Sequence, residues 1–480
     1  MDNQDYSKIG LKAGLEIHQQ LDSGKLFCRC PSYLRGDAPD YVIKRKLHAV
    51  PGEKGEVDIA ALHEAKLERD FYYEGYNENS CLVELDESPP DLIDEDALNE
   101  AIKIALLLNC EIYQNIQVMR KTVIDGSNTS GFQRTLLLAH DGFVEMPFGK
   151  VGIATVCLEE DAARIIEKDD KKAVFRLDRL GIPLVEIATK PELYTPEQIK
   201  ECALKIGELL RACKVKRGIG TIRQDLNISI KGHERVEIKG FQEPRMMIKT
   251  VELEVERQKK DLQDGKKNGE VRGAKEDGTT EFLRPLPGEA RMYPETDLPL
   301  LKISRERINQ LKKELPKLKS EIKDELRKKG VSDEMINLVI ENIDEFNALM
   351  SVYNKDANLV AKMISLRRNE FATKLGKNID EIKNLLTESV MEKVLEKLNE
   401  GKISAGDVRE VLWKIASGED IEQALKVEKV EESELEEQIR NLIKEKPGLR
   451  ANAYMGILIS KHGNKIDKRK TMELINKLVK

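Results

Sequence analysis

"GTIRQDLNISIKGHERVEIKG", residues Gly220 to Gly240, alternates apolar and polar side chains with a period of two. Ile222, Leu226, Ile228 and Ile230 fall on one face, and Arg223, Asp225, Asn227 and Ser229 fall on the other. Val236 and Ile238 repeat the pattern opposite Glu237 and Lys239. Successive side chains of a strand point to opposite faces, so this is a hairpin with one buried and one polar face. The polar face has two readings. It is either plainly solvated or, given its mixture of Arg, Asp, Asn and Glu, a working surface.

The same period runs through "GLEIHQQL", Gly14 to Leu21, where Leu15 and Ile17 share one face and Glu16, His18 and Gln20 the other. Glu16 and His18 therefore point together, as metal ligands or as an ordinary wet strand face. Two further acids sit in apolar strands. In "VCLEEDAAR" Glu160 shares a face with Val156 and Leu158, and in "GIPLVEIAT" Glu186 shares one with Ile182 and Leu184. Buried carboxylates are paired, hydrogen-bonded or bound to a metal. Ion pairs with Arg164 or Arg179 are one outcome. Convergence with Glu16 and His18 is the other, and three carboxylates with one imidazole suit Mg²⁺, with Mn²⁺ as the alternative.

"MRKTVIDGSNTSGFQRT", Met119 to Thr135, combines Arg120, Lys121 and Arg134 with glycines and hydroxyl side chains. Such a mixture suits phosphate oxygens or a surface loop. The chain has no GxxxxGK[ST] and no GxGxxG, so a nucleotide site here is neither a P-loop nor a Rossmann site. No serine or cysteine nucleophile stands beside a recognisable base. The seven cysteines read as reduced thiols. Cys28 and Cys30 form a single close pair with Cys81 far downstream, so no structural zinc is expected, while Cys110, Cys157, Cys202 and Cys213 read as core.

Short strands, loops and a few helices extend to about residue 300, with a polar connection over Gln263 to Glu281. From about Ser304 the pattern turns to charged amphipathic helices. The composition, 35% charged with a net charge of −6, excludes a generally basic nucleic-acid coat. Contact with RNA must be local, and residues 451–480 supply a candidate with seven Lys or Arg against two Asp or Glu. The apolar run "AIKIALLLNC" is interrupted by Lys103 and is too short to span a bilayer. The start, "MDNQDYSKIG", lacks a signal-peptide layout, which makes the expected compartment the cytoplasm.

Taken in order, "GLKAGLEIHQQLDSGKLFCRCPS", "VELDESPP", "VMRKTVIDGSNTSGFQRT", "CLEEDAAR", "RLDRLGIPLVEIAT", "KRGIGTIRQDLNISIKG" and "RPLPGEARMYPETD" resemble the family of archaeal glutamyl-tRNA(Gln) amidotransferase E subunits and, more distantly, the bacterial B subunits. The resemblance implies an α+β protein: a β-rich, cradle-shaped catalytic domain over residues 1–300, a helical domain over 301–410 and a small helical tRNA-binding tail over 411–480. It implies a carbon–nitrogen ligase of the class with glutamine as amide donor, which phosphorylates the glutamate of Glu-tRNA(Gln) with ATP and lets ammonia displace phosphate. An acyl phosphate is an activated acceptor for ammonia where a carboxylate is not. Phosphoryl transfer needs cationic stabilisation more than a protein nucleophile.

Carried over residue by residue, the metal site falls on Glu16, His18, Glu160 and Glu186, with Lys121 beside them. Nucleotide contacts fall on Arg120, Lys121, Ser127, Gln133, Arg223, Asp225, Asn227, Glu237, Lys239, Arg291 and Tyr293, with Glu295 in the same pocket. Lys461, Lys465, Lys468, Arg469 and Lys470 would meet tRNA phosphates, unless that helix face is simply solvated. The implied partner is an asparaginase-like D subunit that supplies ammonia, in a heterotetramer of two D and two E subunits. A non-catalytic tRNA-binding scaffold of the same family is the alternative. The sequence departs from the E subunits at one point: "DLQDGKKNGEVRG" runs straight across the place where they carry a large inserted domain.

Overall fold

The computed structural model describes residues 6–46, 69–123, 125–241, 244–286, 292–426, 432–462, 466 and 468–479. The chain is α+β and divides into two compact units, Met1–Leu318 and Lys319–Lys480.

An eleven-stranded sheet organises the first unit. In spatial order its main path runs Thr280–Pro285, Glu270–Ala274, Val236–Phe241, Ile222–Ser229, Lys12–Gln20, Pro183–Thr189, Gly149–Glu160, Phe132–Met146, Met119–Thr122 and Met292–Pro294. Neighbours are antiparallel except Val236–Phe241 with Glu270–Ala274. The strand Lys12–Gln20 lies at the middle and fixes the register on both sides. His18 stands opposite Glu186 on one neighbour and Arg223 on the other, and Glu16 stands opposite Ala188 and Asp225.

One face of this sheet is the core. Leu15, Ile17, Leu136, Leu138, Val156, Leu158, Val185, Ile187, Leu226, Ile228, Val236 and Ile238 are buried there. The helices Glu95–Leu107, Pro196–Ala212 and Pro244–Gln263 add buried residues to the same core, among them Ile102, Ile206 and Val251. The first two start at defined caps. Asp94 accepts from the Ala97 N–H at 2.8 Å, and Thr195 accepts from Gln198 at 3.2 Å with Pro196 entering the first turn. A four-stranded sheet, Tyr41–Arg45, Asp70–Gly75, Lys172–Arg176 and Arg164–Lys168, closes a smaller core around Phe71, Tyr73, Phe175 and Leu177.

Both expected domain boundaries move. Past residue 300, Leu301–Lys302 pairs with Asn115–Ile116, and Arg307 binds Asn99 at 2.8 Å and Glu95 at 2.6 Å. These contacts keep the chain in the first unit to Leu318. The division at 410/411 falls inside the helix Val408–Ala416, whose Val411, Leu412 and Ile415 share a core with Phe346, Phe371 and Leu395. A separate core then forms from Leu435, Ile439, Tyr454, Met455, Leu458 and Ile475. Among the described residues no helix is long and apolar enough to cross a membrane.

Candidate functional site

The face of the large sheet turned away from its core collects the titratable groups. Glu16 and His18 reach it from the central strand, because Leu15 and Ile17 take the buried positions between them. Antiparallel pairing then adds Glu186 from one side and Arg223, Asp225, Asn227 from the other. Glu237 faces Asn227 across the next strand pair. On the far side Glu159 pairs with Thr135 and Leu184, and Lys121 pairs with Gln133.

The His18 Nε2 atom lies 3.2 Å from Glu186 Oε2, 3.5 Å from Glu16 Oε1 and 3.8 Å from Glu159 Oε1. Lys121 Nζ lies 3.4 Å from Glu186 and 3.7 Å from Glu159, and the Thr135 hydroxyl donates to Glu159 at 3.2 Å. Two ligand groupings share the histidine, His18 with Glu159 and Glu186, and His18 with Glu16 and Asp225, each with its donor atoms within 4.8 Å of one another. Lys239 Nζ pairs with Asp225 at 2.7 Å and Glu237 at 2.5 Å. Arg223 binds Asp161 at 3.0 Å with its side chain still 43% exposed.

Five carboxylates on one patch repel each other, and the proton affinities show it. Burial, helped by the neighbouring Glu186 charge, pushes Glu16 up to about 7. Burial also raises Glu159. Glu186 goes the other way, down to about 2, because the His18 hydrogen bond and the Lys121 charge outweigh its burial. His18 itself is raised, its burial overcome by the Glu186 hydrogen bond and the surrounding carboxylates. Groups whose environments drive their affinities apart are characteristic of chemical or cation sites. Oxygen-rich donors with one imidazole fit a hard divalent cation.

One expected ligand does not arrive. Glu160 keeps the face of Val156 and Leu158, as its position in the strand requires, and that is the face opposite His18. There it is buried against Arg134 at 3.4 Å, and neither Arg164 nor Arg179 is its partner; Arg164 pairs with Asp178 and Arg179 lies 3.8 Å from Asp161. Its neighbour Glu159 stands beside His18 instead. The signal for Glu159 was present in the period of two: it shares a face with Thr155 and Cys157, away from the core.

The expected nucleotide contacts divide in the same way. Lys121, Arg223, Asp225, Asn227, Glu237 and Lys239 share the open face. Gln133 is on it too, but donates to the Glu160 carbonyl at 2.6 Å. Arg120 points to the opposite face, where it binds Glu295 at 2.5 Å and lies over the Phe132 ring at 4.6 Å. Tyr293, paired with Arg120 on the adjoining strand, belongs to that group, as does Arg134, 2.9 Å from Glu295. Ser127 donates to Asp125 at 2.6 Å in the turn before Phe132–Met146. Arg291 and Lys465 lie outside the described residues. Lys461 and Lys470 are exposed in the second unit, and Lys468 and Arg469 open its last helix, Lys468–Leu478.

Cys157, expected in the core, lies instead on the open face. Its thiol is raised by burial and by Glu186 and Glu159. Cys81, far from Cys28 and Cys30 in sequence, is folded beside them with Glu84.

The family model of the GatB/GatE catalytic domain matches residues 11–309. Among similar proteins, the E subunit of the glutamyl-tRNA(Gln) amidotransferase of Methanocaldococcus jannaschii is 35% identical, covering 99% of each chain. That of Methanothermobacter thermautotrophicus is 34% identical over 92% of each. The E subunit of the Pyrococcus abyssi enzyme is 56% identical over 258 residues, 54% of this chain and 41% of the relative. The Methanocaldococcus alignment extends over 636 positions, more than the 480 residues here. Gaps in this chain therefore face residues of the relative.

Proposed function

Because the chain belongs to the GatB/GatE catalytic-domain family, we propose that it is the tRNA-acting component of an amidotransferase that converts Glu-tRNA(Gln) to Gln-tRNA(Gln). In this reading ATP phosphorylates the glutamyl carboxylate, and ammonia from an asparaginase-like partner displaces the phosphate. The observation that supports it most is the joining of Glu16, His18, Glu159, Glu186 and Asp225 with Lys121 and Lys239 on one sheet face.

The chain's own groups suit phosphoryl transfer to a carboxylate. Lys121 and Lys239 are both raised above the ordinary lysine range, because the flanking carboxylates outweigh burial, so each keeps its charge for phosphate oxygens. Arg223 is tethered at one end by Asp161 and presents the rest of its guanidinium to the open face. The thiol of that face, Cys157, stays protonated at neutral pH and is a poor nucleophile, in keeping with direct transfer between bound substrates. A bound Mg²⁺, held by His18, Glu159 and Glu186 with Glu16 and Asp225 in reach, would supply positive charge for the triphosphate. The exposed Lys461 and Lys470, with Lys468 and Arg469, would meet tRNA phosphates.

The test is amidation of Glu-tRNA(Gln) with ATP, Mg²⁺ and ammonium chloride, comparing the wild type with His18→Ala and Glu159→Gln. Product from the wild type and loss in both folded variants is the expected result. Binding of the tRNA without consumption of ATP, with the ammonia-supplying partner present, would leave the scaffold role instead.

A further inference from the structure

On the reading of this chain as a Glu-tRNA(Gln) amidotransferase, on which this inference rests, we propose that Tyr113, His140 and Leu137 form a stacking platform for the base of the RNA's terminal nucleoside. The platform begins with an irregularity in the strand Phe132–Met146. Leu137 pairs with Cys157 and His140 with Thr155, so three residues of one strand are spanned by two of the other. In a regular strand, residues three apart point to opposite faces. Here the extra residue puts both on the open face of the sheet, the face of His18. Bulges beside functional sites re-aim side chains in this way.

Tyr113 follows the short strand Glu111–Ile112, whose Glu111 pairs with His140, and its N–H donates to the Leu138 carbonyl at 3.0 Å. Its ring stacks on that of His140, with centroids 4.4 Å apart and planes tilted by 34°. The His140 ring is held in place. Its Nδ1 lies 2.9 Å from Asp141 Oδ2, and the same carboxylate accepts from the Lys190 ammonium at 3.0 Å. Asp141 takes the left-handed backbone conformation at φ +49°, which is uncommon for a residue with a side chain. Tyr113 is 37% exposed and Leu137 38%.

Position selects the occupant. Along the paired rows, Leu137 stands two strands from Glu186 and three from His18. At about 4.8 Å per strand, the platform lies roughly 10 Å from Glu186. Small side chains, Cys157, Thr155 and Ala188, floor the interval and leave room for a ribose with an extended glutamyl ester. Arg223 and Lys239 lie on the other side of His18, on Ile222–Ser229 and Val236–Phe241. In phosphoryl transfer the attacking and leaving oxygens are roughly in line. A triphosphate lying toward Arg223 and Lys239 therefore leaves the platform side to the acceptor, the glutamyl group on the terminal nucleoside. Tyr and His rings are among the surfaces on which unstacked RNA bases are held.

Binding and kinetics of the full chain test this. With 2-aminopurine in place of the terminal adenine of uncharged tRNA(Gln), stacking quenches the probe's emission. The expected result is quenching by the wild type that Tyr113→Phe keeps, Tyr113→Ala loses and ATP does not reverse. In the amidation assay, Tyr113→Ala should raise KM for Glu-tRNA(Gln) roughly 5- to 150-fold, the range for loss of one base–aromatic stack, with KM for ATP unchanged. Quenching that Tyr113→Ala retains overturns the proposal. So does quenching that ATP reverses, or a KM shift confined to ATP, since either gives the platform to the adenine of the nucleotide. A wild type that forms amide without quenching the probe overturns it whatever the variants do. A wild type that quenches the probe, with loss in Tyr113→Ala, but forms no amide refutes the amidotransferase reading and supports the terminal-base site.

Discussion

Exchanging two adjacent glutamates for glutamine separates the two faces of one strand. Glu159 lies on the cation side, 3.8 Å from His18 and 3.7 Å from Lys121. Glu160 lies on the core side, 3.4 Å from a buried Arg134. A unit charge at 4 Å and an effective dielectric of about 20 is worth ~4 kcal/mol. If water replaces the lost oxygen and a third of that survives, Glu159→Gln weakens Mn²⁺ binding by ~1.4 kcal/mol, about tenfold. Its cost in folding is small, because the substitution also removes a repulsive charge from Glu186. Glu160→Gln should do the opposite. It leaves Arg134 with one buried partner fewer, a type of loss that costs about 3–5 kcal/mol, and Glu295, 2.9 Å from Arg134, places this case at the lower end. Calorimetric Mn²⁺ titration and thermal melting of both variants read the two effects. Cation affinity lost in Glu160→Gln and retained in Glu159→Gln would refute the assignment of faces.

Three further outcomes follow from the same structure. Glu16 is raised to about 7 from its ordinary 4.5, so the native state holds a proton that the unfolded chain has released. Stability from this group therefore declines as pH rises between those values, by no more than about 3 kcal/mol, while Mn²⁺ binding tightens up to about tenfold per pH unit and levels off above 7. Melting curves from pH 5.5 to 8 with and without Mn²⁺ check both signs. In the helical unit, buried Arg368 meets Glu345 at 2.6 and 2.7 Å and the Leu386 carbonyl at 2.5 Å. Arg368→Met should cost about 3–5 kcal/mol by urea unfolding, since it strands the carboxylate. Asp94→Ala removes the cap of Glu95–Leu107 and should cost about 1 kcal/mol, with cation binding unaffected.

The α+β class, the hairpin and the common face of Glu16 and His18 were legible from the sequence, because a strand's side chains alternate whatever lies beyond it. The family was legible from the motifs. The choice between Glu159 and Glu160 was not. The two residues are chemically identical and adjacent, and which one meets His18 depends on which face of Gly149–Glu160 is turned to the core beside Pro183–Thr189. A one-residue shift exchanges every side chain between faces. The division at 410/411 was not legible for a related reason: no local pattern shows that Val411, Leu412 and Ile415 pack with Phe346, Phe371 and Leu395, far behind them in sequence. Sequence by itself settled the local periodicities and the kinds of donor available. Only the tertiary structure decided which donors meet, since Glu186 reaches His18 across 168 residues and Glu84 reaches Cys28 across 56, by strand pairing and loop packing that no local pattern encodes.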